Sequence, residues 1–347
     1  MDTPSGNSSA RVADLVIRFT NHPAVKTWTP VIVALILAVG SPTPVAAQDE
    51  IAPEPAIMAP LASRALTLDA VAIDGALVAV GERGHILISS DGGQTWQQQT
   101  VPTRAALTGV YFHDQNLGWA VGHDGVILRT TDGGTTWEIV NWAPEEEAPF
   151  FDVWFADADN GIAIGAYGAY YETSDGGTTW SSRWISEDDW HLHKIARSAN
   201  GKMYIAAEAG SFYRSDDGGE NWTAQYPDYE GSYFGVLPLE GDSVLLFGLR
   251  GHLFRSDDAG ETWEEIDTGT VAMLTNGLRL DDGTVVIVGL GGTVLVSSDD
   301  GRSFVLHQQE NRRGISSIVD VGDGSLLLVG EFGVKVATLA ELTAATD

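Results

Sequence analysis

Six aspartates stand at nearly constant spacing, each within the pattern Ser/Thr-x-Asp-x-Gly-x-x-Trp/Phe. The spacings are 41, 43, 42, 41 and 41 residues, and the aspartates are Asp91, Asp132, Asp175, Asp217, Asp258 and Asp299. The aromatic positions are Trp96, Trp137, Trp180, Trp222, Trp263 and Phe304. A carboxylate beside a hydroxyl and glycines could bind calcium or act as a catalytic acid.

A calcium site is not favoured, because the segment around Asp217 lacks the distal acidic ligand that an EF-hand loop requires. Catalysis is not favoured either, because six equivalent carboxylates spread over a ring cannot converge on one substrate. We therefore predict turns in which the Ser/Thr hydroxyl and the carboxylate accept backbone N–H groups. The glycine then adopts positive φ, and the aromatic residue packs between neighbouring repeats. We call these segments the Asp hairpins.

Other chemically competent residues are few. His191 and His193 would point to one side of a strand, as a metal pair would, but no third ligand is evident. Glu145, Glu146 and Glu147 are typical of a solvated loop. The chain of 347 residues has no cysteine, 19 basic and 48 acidic side chains, and a formal charge of −29. This composition excludes disulfide scaffolds and thiolate sites and argues against nucleic acid as a partner. No metal or other cofactor is expected.

The Asp hairpins belong to a longer repeat. A Gly/Ala-x-x-Gly element precedes each hairpin and occurs a seventh time, beginning at Gly81, Gly122, Gly165, Ala207, Gly248, Gly289 and Gly330. Each repeat of about 41 residues reads as four short strands, which in the second repeat are 107–112, 118–121, 126–130 and 137–140. No helical period is sustained between residues 64 and 338. The sequence predicts an all-β, seven-bladed propeller of four-stranded blades.

The ring needs closure, because an unpaired edge favours aggregation. We predict that residues 56–66 supply the outer strand of the last blade and so join the N-terminus to it. The propeller then spans 64–338, and the tail 339–347 either contributes or frays.

The N-terminus predicts export. Residues 1–47 combine a basic start, the apolar run 31–39 and a small-residue cleavage site, which is typical of a signal peptide. An uncleaved membrane anchor is the alternative. Residues 48–63 are a Pro/Ala-rich leader. We expect a periplasmic protein, or one associated with the membrane on its non-cytoplasmic side.

Propeller topology places the Gly-x-x-Gly turns and the blade-to-blade links on one face, opposite the Asp hairpins. Variable loops on a repeated scaffold commonly carry function, and Arg and aromatic side chains commonly anchor interfaces. We therefore predict a docking face for an acidic or mixed protein segment, formed by Arg83, Arg104, His123, Tyr167, Arg250, Arg312 and Arg313. Further aromatic and imidazole groups there are Trp190, His191, His193, Tyr226, Tyr229 and Tyr233.

The Asp hairpins and segments such as 77–85, 118–125 and 247–256 resemble the photosystem II stability/assembly factor-like family of Asp-box, BNR-type propellers. The resemblance covers 64–338. It implies a non-catalytic, exported scaffold that helps to assemble or maintain a membrane-protein complex. We expect a monomer, because a closed ring needs no partner to satisfy its edges. The partner would be photosystem subunits in a phototroph and otherwise a transporter. Phototrophic members are associated with an arginine-rich patch, whereas this chain after residue 47 has only 16 basic against 46 acidic side chains.

Two other functions stay open. Asp-box propellers include glycoside hydrolases, yet this chain lacks the Arg-Ile-Pro segment characteristic of sialidases, and xyloglucanases generally pair two propellers. A carboxylate pair for glycoside hydrolysis is compatible with so acidic a chain. A polysaccharide-binding module is the second alternative.

Overall fold

The computed structural model describes residues 52–344, which belong to one compact unit. The predicted signal peptide 1–47, residues 48–51 of the leader and residues 345–347 of the tail lie outside the described residues. Within the described range, no helix is long and apolar enough to cross a membrane.

Seven antiparallel sheets form the blades, and in each sheet the strands pair in chain order. Blades 1 and 2 comprise β1 (Thr67–Ile73), β2 (Ala76–Gly81), β3 (Ile86–Ser89), β4 (Gln97–Gln98), β5 (Leu107–Phe112), β6 (Gly118–Gly122), β7 (Ile127–Thr130) and β8 (Glu138–Asn141). Blades 3 and 4 comprise β9 (Phe150–Phe155), β10 (Gly161–Gly165), β11 (Tyr170–Thr173), β12 (Ser181–Ser182), β13 (Leu192–Arg197), β14 (Met203–Ala207), β15 (Phe212–Ser215) and β16 (Thr223–Gln225). Blades 5 to 7 comprise β17 (Tyr233–Pro238), β18 (Val244–Gly248), β19 (Leu253–Ser256), β20 (Glu264–Glu265), β21 (Leu274–Arg279), β22 (Val285–Gly289), β23 (Thr293–Ser297), β24 (Val305–Gln308), β25 (Ile315–Gly322), β26 (Ser325–Gly330) and β27 (Gly333–Thr338).

The helical elements of the described chain are short. Single 3-10 turns occupy Ala62–Arg64, Glu82–Gly84, Pro144–Glu146, Ala166–Gly168, Leu249–Gly251 and Leu290–Gly292, and α1 occupies Leu339–Thr343. The predicted all-β propeller without sustained helix between residues 64 and 338 is therefore confirmed.

The second strand of each blade carries most of the core. β18, for example, is apolar along its whole length and buried at every position, because a middle strand of a blade has a neighbouring blade on each side. The first strands contact one another in cyclic order, and β25 contacts β1, which closes the ring. The aromatic residues of the Asp hairpins fill the space between blades. Trp137 packs in one cluster with Ile88 of the preceding blade, and Trp222 Nε1 donates to the Tyr170 hydroxyl of the preceding blade at 3.1 Å.

A β-bulge recurs near the start of all seven first strands, where the pairing with the second strand skips one residue. The skipped residues are Leu68, Thr108, Phe151, His193, Phe234, Thr275 and Ser316. The sequence pattern did not predict this bulge. It redirects the local side chains, so that the Thr108 hydroxyl donates to the Phe150 carbonyl of the next blade at 2.6 Å.

Ring closure differs from the prediction for residues 56–66. The sheet of blade 7 contains β25, β26 and β27, and residues 56–66 form coil and a 3-10 turn instead of a fourth paired strand. The segment nevertheless bridges blades 7 and 1. The Ser63 carbonyl lies against Gly333 at the start of β27, and the Ala56 N–H donates to the Val101 carbonyl at 3.0 Å.

Proline explains why this segment is not a strand. Pro60, inside the segment, has no backbone N–H to donate to a ladder, and neither have Pro53 and Pro55, which directly precede it. The C-terminal tail contributes to the fold through α1. Its Thr338–Glu341 capping box fixes the start of the helix, and Leu342 is buried in the cluster of blades 6 and 7.

Candidate docking face

The Asp hairpins form the turns that the sequence predicts. In the first, the Ser89 hydroxyl donates to Asp91 Oδ1 at 2.8 Å and accepts the Gly93 N–H at 2.8 Å. Asp91 Oδ1 also accepts the Thr95 N–H at 2.9 Å. The same three bonds recur in the other five hairpins. Each carboxylate is thus held by its own turn.

These hydrogen bonds favour the ionised carboxylates. Bonds from the residue four positions further on, together with the Ser or Thr hydroxyl, lower the pKa to about 2 for Asp91, Asp175 and Asp217. The Ser297 and Ser303 hydroxyls likewise hold the pKa of Asp299 well below its usual range.

The loops divide between two faces as predicted. The Asp hairpins meet the links between first and second strands, as when the Gly133 N–H donates to the Asn116 carbonyl. The Gly-x-x-Gly turns meet the blade-to-blade links, as when the His123 N–H donates to the Ala106 carbonyl. We call this second side the loop face.

All seven residues predicted for docking are exposed on the loop face. They do not form one site. Arg83 and Arg104 share one cavity, Arg250 and Tyr167 line two others, and His123, Arg312 and Arg313 line none of the cavities described below. Arg313 donates instead to the Glu331 carbonyl.

Three of these residues occupy an unusual backbone conformation. Arg83, Tyr167 and Arg250 are the third residues of their Gly-x-x-Gly turns, with φ of 58°, 54° and 58°. Left-handed conformations are costly for residues with large side chains and often mark functional positions. The repeated turn therefore presents a large side chain outward in blades 1, 3 and 5.

The cavity of Arg83 and Arg104 has a volume of about 400 Å3 and lies beside the N-terminal segment, which contributes Ile57 and Ala59. Its inner wall is His85, whose side chain is buried and whose Nδ1 has no hydrogen-bond partner among the described residues. Burial lowers the pKa of His85. Arg104 forms an ion pair with Glu54 of the N-terminal segment, so this arginine already holds a carboxylate.

The cavity of Arg250, of about 980 Å3, is lined by Tyr226 and Tyr229. The Tyr229 hydroxyl donates to the Leu249 carbonyl at 3.0 Å, and its ring lies 4.1 Å from that of His252. Tyr226 is 59% exposed. Tyr233, in contrast, is fully buried and belongs to the core of the propeller.

The two histidines near this face take part in packing. His193 Nδ1 lies 2.9 Å from the Tyr233 carbonyl, and its ring lies between those of Phe151 and Phe234. Burial lowers the pKa of His193 to about 4. Within residues 52–344, no group of three or more His, Asp or Glu side chains is placed to hold a metal ion.

A buried charge cluster was not found by sequence reasoning. Lys194 Nζ lies 3.1 Å from Asp152 Oδ1, and the Asp152 side chain is 5% exposed. Asp152 Oδ2 accepts the Ile195 N–H at 3.0 Å, and Asp69 Oδ2 accepts the Val110 N–H at 3.1 Å. Both carboxylates thus bond to the first strand of the next blade. Burial raises the pKa of Asp152, while the charge of Lys194 opposes that shift.

A second feature that the sequence did not reveal is the exposed Trp184, which lines the cavity of Tyr167 together with Glu146. The sequence offered only one hint of this site, namely that Trp184 does not occupy an Asp-hairpin position.

Charge is unevenly distributed over the loop face. Blades 1, 5 and 6 contribute the arginines of what we call the basic sector, namely Arg83, Arg104, Arg250, Arg312 and Arg313, although exposed carboxylates stand among them, namely Glu54, Glu265, Asp267, Glu310 and Glu331. Blades 2 to 4 contribute the exposed carboxylates of the acidic sector, namely Glu145, Glu146, Glu147, Glu187, Asp188, Asp189, Asp228 and Glu230. The acidic sector is therefore suited to a cationic partner, whereas the basic sector is mixed in charge.

Comparisons with known proteins agree with this architecture. The model of the family described as Photosynthesis system II assembly factor YCF48 matches residues 56–145 and 143–336. A solved structure described as YCF48 bound to D1 peptide is 22% identical, covers 87% of this chain and 97% of its own, and has a TM-score of 0.66. YCF48 from Cyanidioschyzon merolae is 18% identical over 80% of this chain and 97% of its own, with a TM-score of 0.65.

The same fold occurs in an enzyme. A streptogramin B lyase structure is 12% identical over 80% of this chain and 94% of its own, with a TM-score of 0.69. At these identities the structural matches show the fold alone. No protein of curated function matches the sequence.

Proposed function

This chain belongs to the family of the photosynthesis system II assembly factor YCF48, and from that membership we propose that it is an assembly scaffold that docks a segment of a photosystem membrane-protein subunit. The family match over residues 56–336 is the observation that carries the proposal. A family structure bound to D1 peptide supports a subunit segment as the ligand.

The basic sector is the proposed contact surface for that segment. Arg83 and Arg250 are exposed and are held outward by their left-handed turns. Guanidinium groups pair with carboxylates in bidentate geometry, and the ion pair between Arg104 and Glu54 is an example within the chain. The arginines stand at separate cavities, so the proposed ligand is an extended acidic or mixed segment that spans several blades.

Fluorescence anisotropy with a labelled D1 peptide tests this proposal. The variant combining Arg83→Ala and Arg250→Ala is expected to bind at least about tenfold more weakly, since charge-assisted hydrogen bonds contribute about 1.5–3 kcal/mol each. Arg302→Ala is the matched control, because Arg302 is exposed among the Asp hairpins on the opposite face and pairs with Asp257 at 3.0 Å. Equal binding by both variants, or no binding by the unaltered protein, would contradict the proposal.

Three further properties are part of the proposal. The protein is exported, in keeping with the signal-like residues 1–47, and it acts on the non-cytoplasmic side of a membrane. It is non-catalytic. It is also monomeric, since a closed ring satisfies its own strands. Cell fractionation tests the location, and a cytoplasmic protein would refute export. A panel of chromogenic glycosides tests for catalysis, and turnover would refute the non-catalytic role. Sedimentation tests the oligomeric state, and a stable dimer would refute the monomer.

A further inference from the structure

The acidic sector contains a cavity of about 260 Å3 whose walls are aromatic. Tyr167 from a Gly-x-x-Gly turn and Trp184 from the following blade-to-blade link stand on its rim. Tyr167 is 56% exposed and Trp184 is 67% exposed. Two large aromatic side chains exposed together at one cavity are typical of a binding surface.

Both rings are held in place without a ligand. The Trp184 ring lies so close to Gly168 that a Cβ there would meet it at 2.8 Å. The Gly168 N–H donates to the Trp190 carbonyl at 3.1 Å, which fixes the link on the turn. The Tyr167 ring packs edge-to-face on His191 with centroids 5.0 Å apart. A ligand would therefore meet a rigid surface and would pay little ordering entropy.

The turn holds Tyr167 in a left-handed conformation, but the fold does not require a bulky side chain there. Its φ is 54°, and the equivalent positions of blades 4 and 6, with φ of 54° and 65°, hold the small residues Ala209 and Gly291. Glycine adopts this conformation without penalty, and a bulky residue does not. A tyrosine at such a turn points to a role for its side chain outside the fold.

The charges around the cavity favour a cation. Glu146 accepts a hydrogen bond from the Tyr171 hydroxyl at 3.0 Å and has no cationic partner among the described residues. Arg183 also lines the cavity, but Glu172 neutralises it through two contacts at 3.0 Å. Arg183 lies 4.7 Å over the Tyr170 ring, so the chain itself already places a guanidinium on an aromatic ring at this site.

We propose that the cavity of Tyr167, Trp184 and Glu146 binds a lysine or arginine side chain carried by a segment of a partner protein. The aromatic faces attract the cation, and Glu146, which lines the same cavity, supplies the opposite charge. This surface is separate from the arginines of the basic sector, and its existence does not depend on docking by Arg83 or Arg250.

The test uses two short capped peptides, acetyl-Gly-Arg-Gly amide and its citrulline analogue, which has the same shape without the charge. The indole N–H signal of Trp184 is assigned by its loss in Trp184→Phe and is followed by NMR during titration of the full chain. We expect a saturable shift with the arginine peptide and about tenfold weaker binding of the citrulline peptide. Tyr167→Ala and Glu146→Gln are each expected to weaken binding severalfold.

Controls separate this site from the rest of the face. Tyr226→Ala removes an exposed tyrosine of the next link and is expected to leave binding unchanged, as is Arg83→Ala. Loss of D1-peptide binding by Arg83→Ala, together with an unchanged Trp184 response to the arginine peptide, would show that the two sites bind independently. Equal shifts with both peptides, no saturable shift at millimolar peptide, or unaltered binding by both Tyr167→Ala and Glu146→Gln would each overturn the proposal.

Discussion

Replacing Lys194 by methionine is expected to destabilise the propeller strongly. Methionine keeps most of the side-chain volume and removes the charge that lies 3.1 Å from Asp152 Oδ1. Asp152 is then left buried without a cation, and Asp69, with 8% of its surface exposed, is buried as well. Removing one partner of a buried ion pair costs about 3–5 kcal/mol. Because the Lys194 side chain retains 32% exposure, we expect the lower end, about 3 kcal/mol.

The assay is urea unfolding followed by tryptophan fluorescence, with Lys202→Met as the matched control. Lys202 Nζ lies 3.0 Å from Asp242 Oδ1, a similar distance, but the Asp242 side chain is 50% exposed. Exposed ion pairs contribute about 0–1 kcal/mol, so the control is expected to lose little. A difference below about 1 kcal/mol between the two variants would refute the reasoning.

The pH dependence gives a second check. Burial raises the pKa of Asp152 already in the presence of Lys194, and loss of the lysine charge raises it further. A group whose pKa is higher in the folded protein favours folding below its unfolded pKa and loses that contribution as the pH rises. The deficit of Lys194→Met should therefore shrink on acidification, and Asp152→Asn in the same chain should restore part of the stability at neutral pH.

Three further predictions concern the turns and the closing segment. The Asp-hairpin carboxyls of blades 1, 3 and 4 have a pKa of about 2 against the ordinary 3.8, so they favour folding above about pH 4 and lose that contribution as the pH falls towards 2. The urea midpoint should therefore be flat near neutrality and fall below about pH 4. A midpoint that rises below pH 4 would contradict this. Gly84→Ala and Gly291→Ala both place alanine at similar positive φ (70° and 65°), but only the new Cβ at position 84 meets a backbone atom, the Thr103 carbonyl oxygen. Thermal unfolding should show a loss of stability of about 1 kcal/mol for Gly291→Ala and a much larger loss for Gly84→Ala. Equal losses of stability would contradict this. Gln98→Ala removes the bonds to the N-terminal segment, from the Ala59 N–H at 2.8 Å and to the Ile57 carbonyl at 3.0 Å, and should speed proteolysis of that segment, whereas Gln99→Ala should not.

The strands were predictable because their signals are local. The second repeat was predicted to contain strands 107–112 and 137–140, and the structure has Leu107–Phe112 and Glu138–Asn141. Alternating apolar residues, turn glycines and the Asp-hairpin pattern each act within a few neighbouring residues, and repetition confirms them. The one-residue shift at β8 arises because Trp137 turns between blades before pairing begins.

Two features were not predicted from the sequence. The ion pair of Asp152 with Lys194 joins strands 42 residues apart, and the bulge at Phe151 shifts the pairing of β9 with β10 inside one blade. A weak signal did exist, since Asp152 and Lys194 stand at equivalent positions of two inner strands, one repeat apart, and Asp152 is the only charged residue of β9.

The same distinction holds for the candidate site. Topology placed Arg83 and Tyr167 on the correct face, because loop order alone decides the face of a propeller. Which residues share a cavity depends on the conformation of each link. Trp184 lines the same cavity as Tyr167 because its link folds back over Gly168, and no periodic pattern encodes that.

The segment that bridges blades 7 and 1 has a consequence for the order of folding. Each sheet pairs strands that follow one another in the chain, so a blade can form soon after its own residues are synthesised. The seam between β1 and β25, and the contact of Ser63 with Gly333, join residues more than half the chain apart. Such contacts form slowly, because a long loop must close first. Until that seam forms, blade 1 exposes one apolar side, and the polypeptide is most vulnerable to aggregation and most in need of a chaperone in this interval.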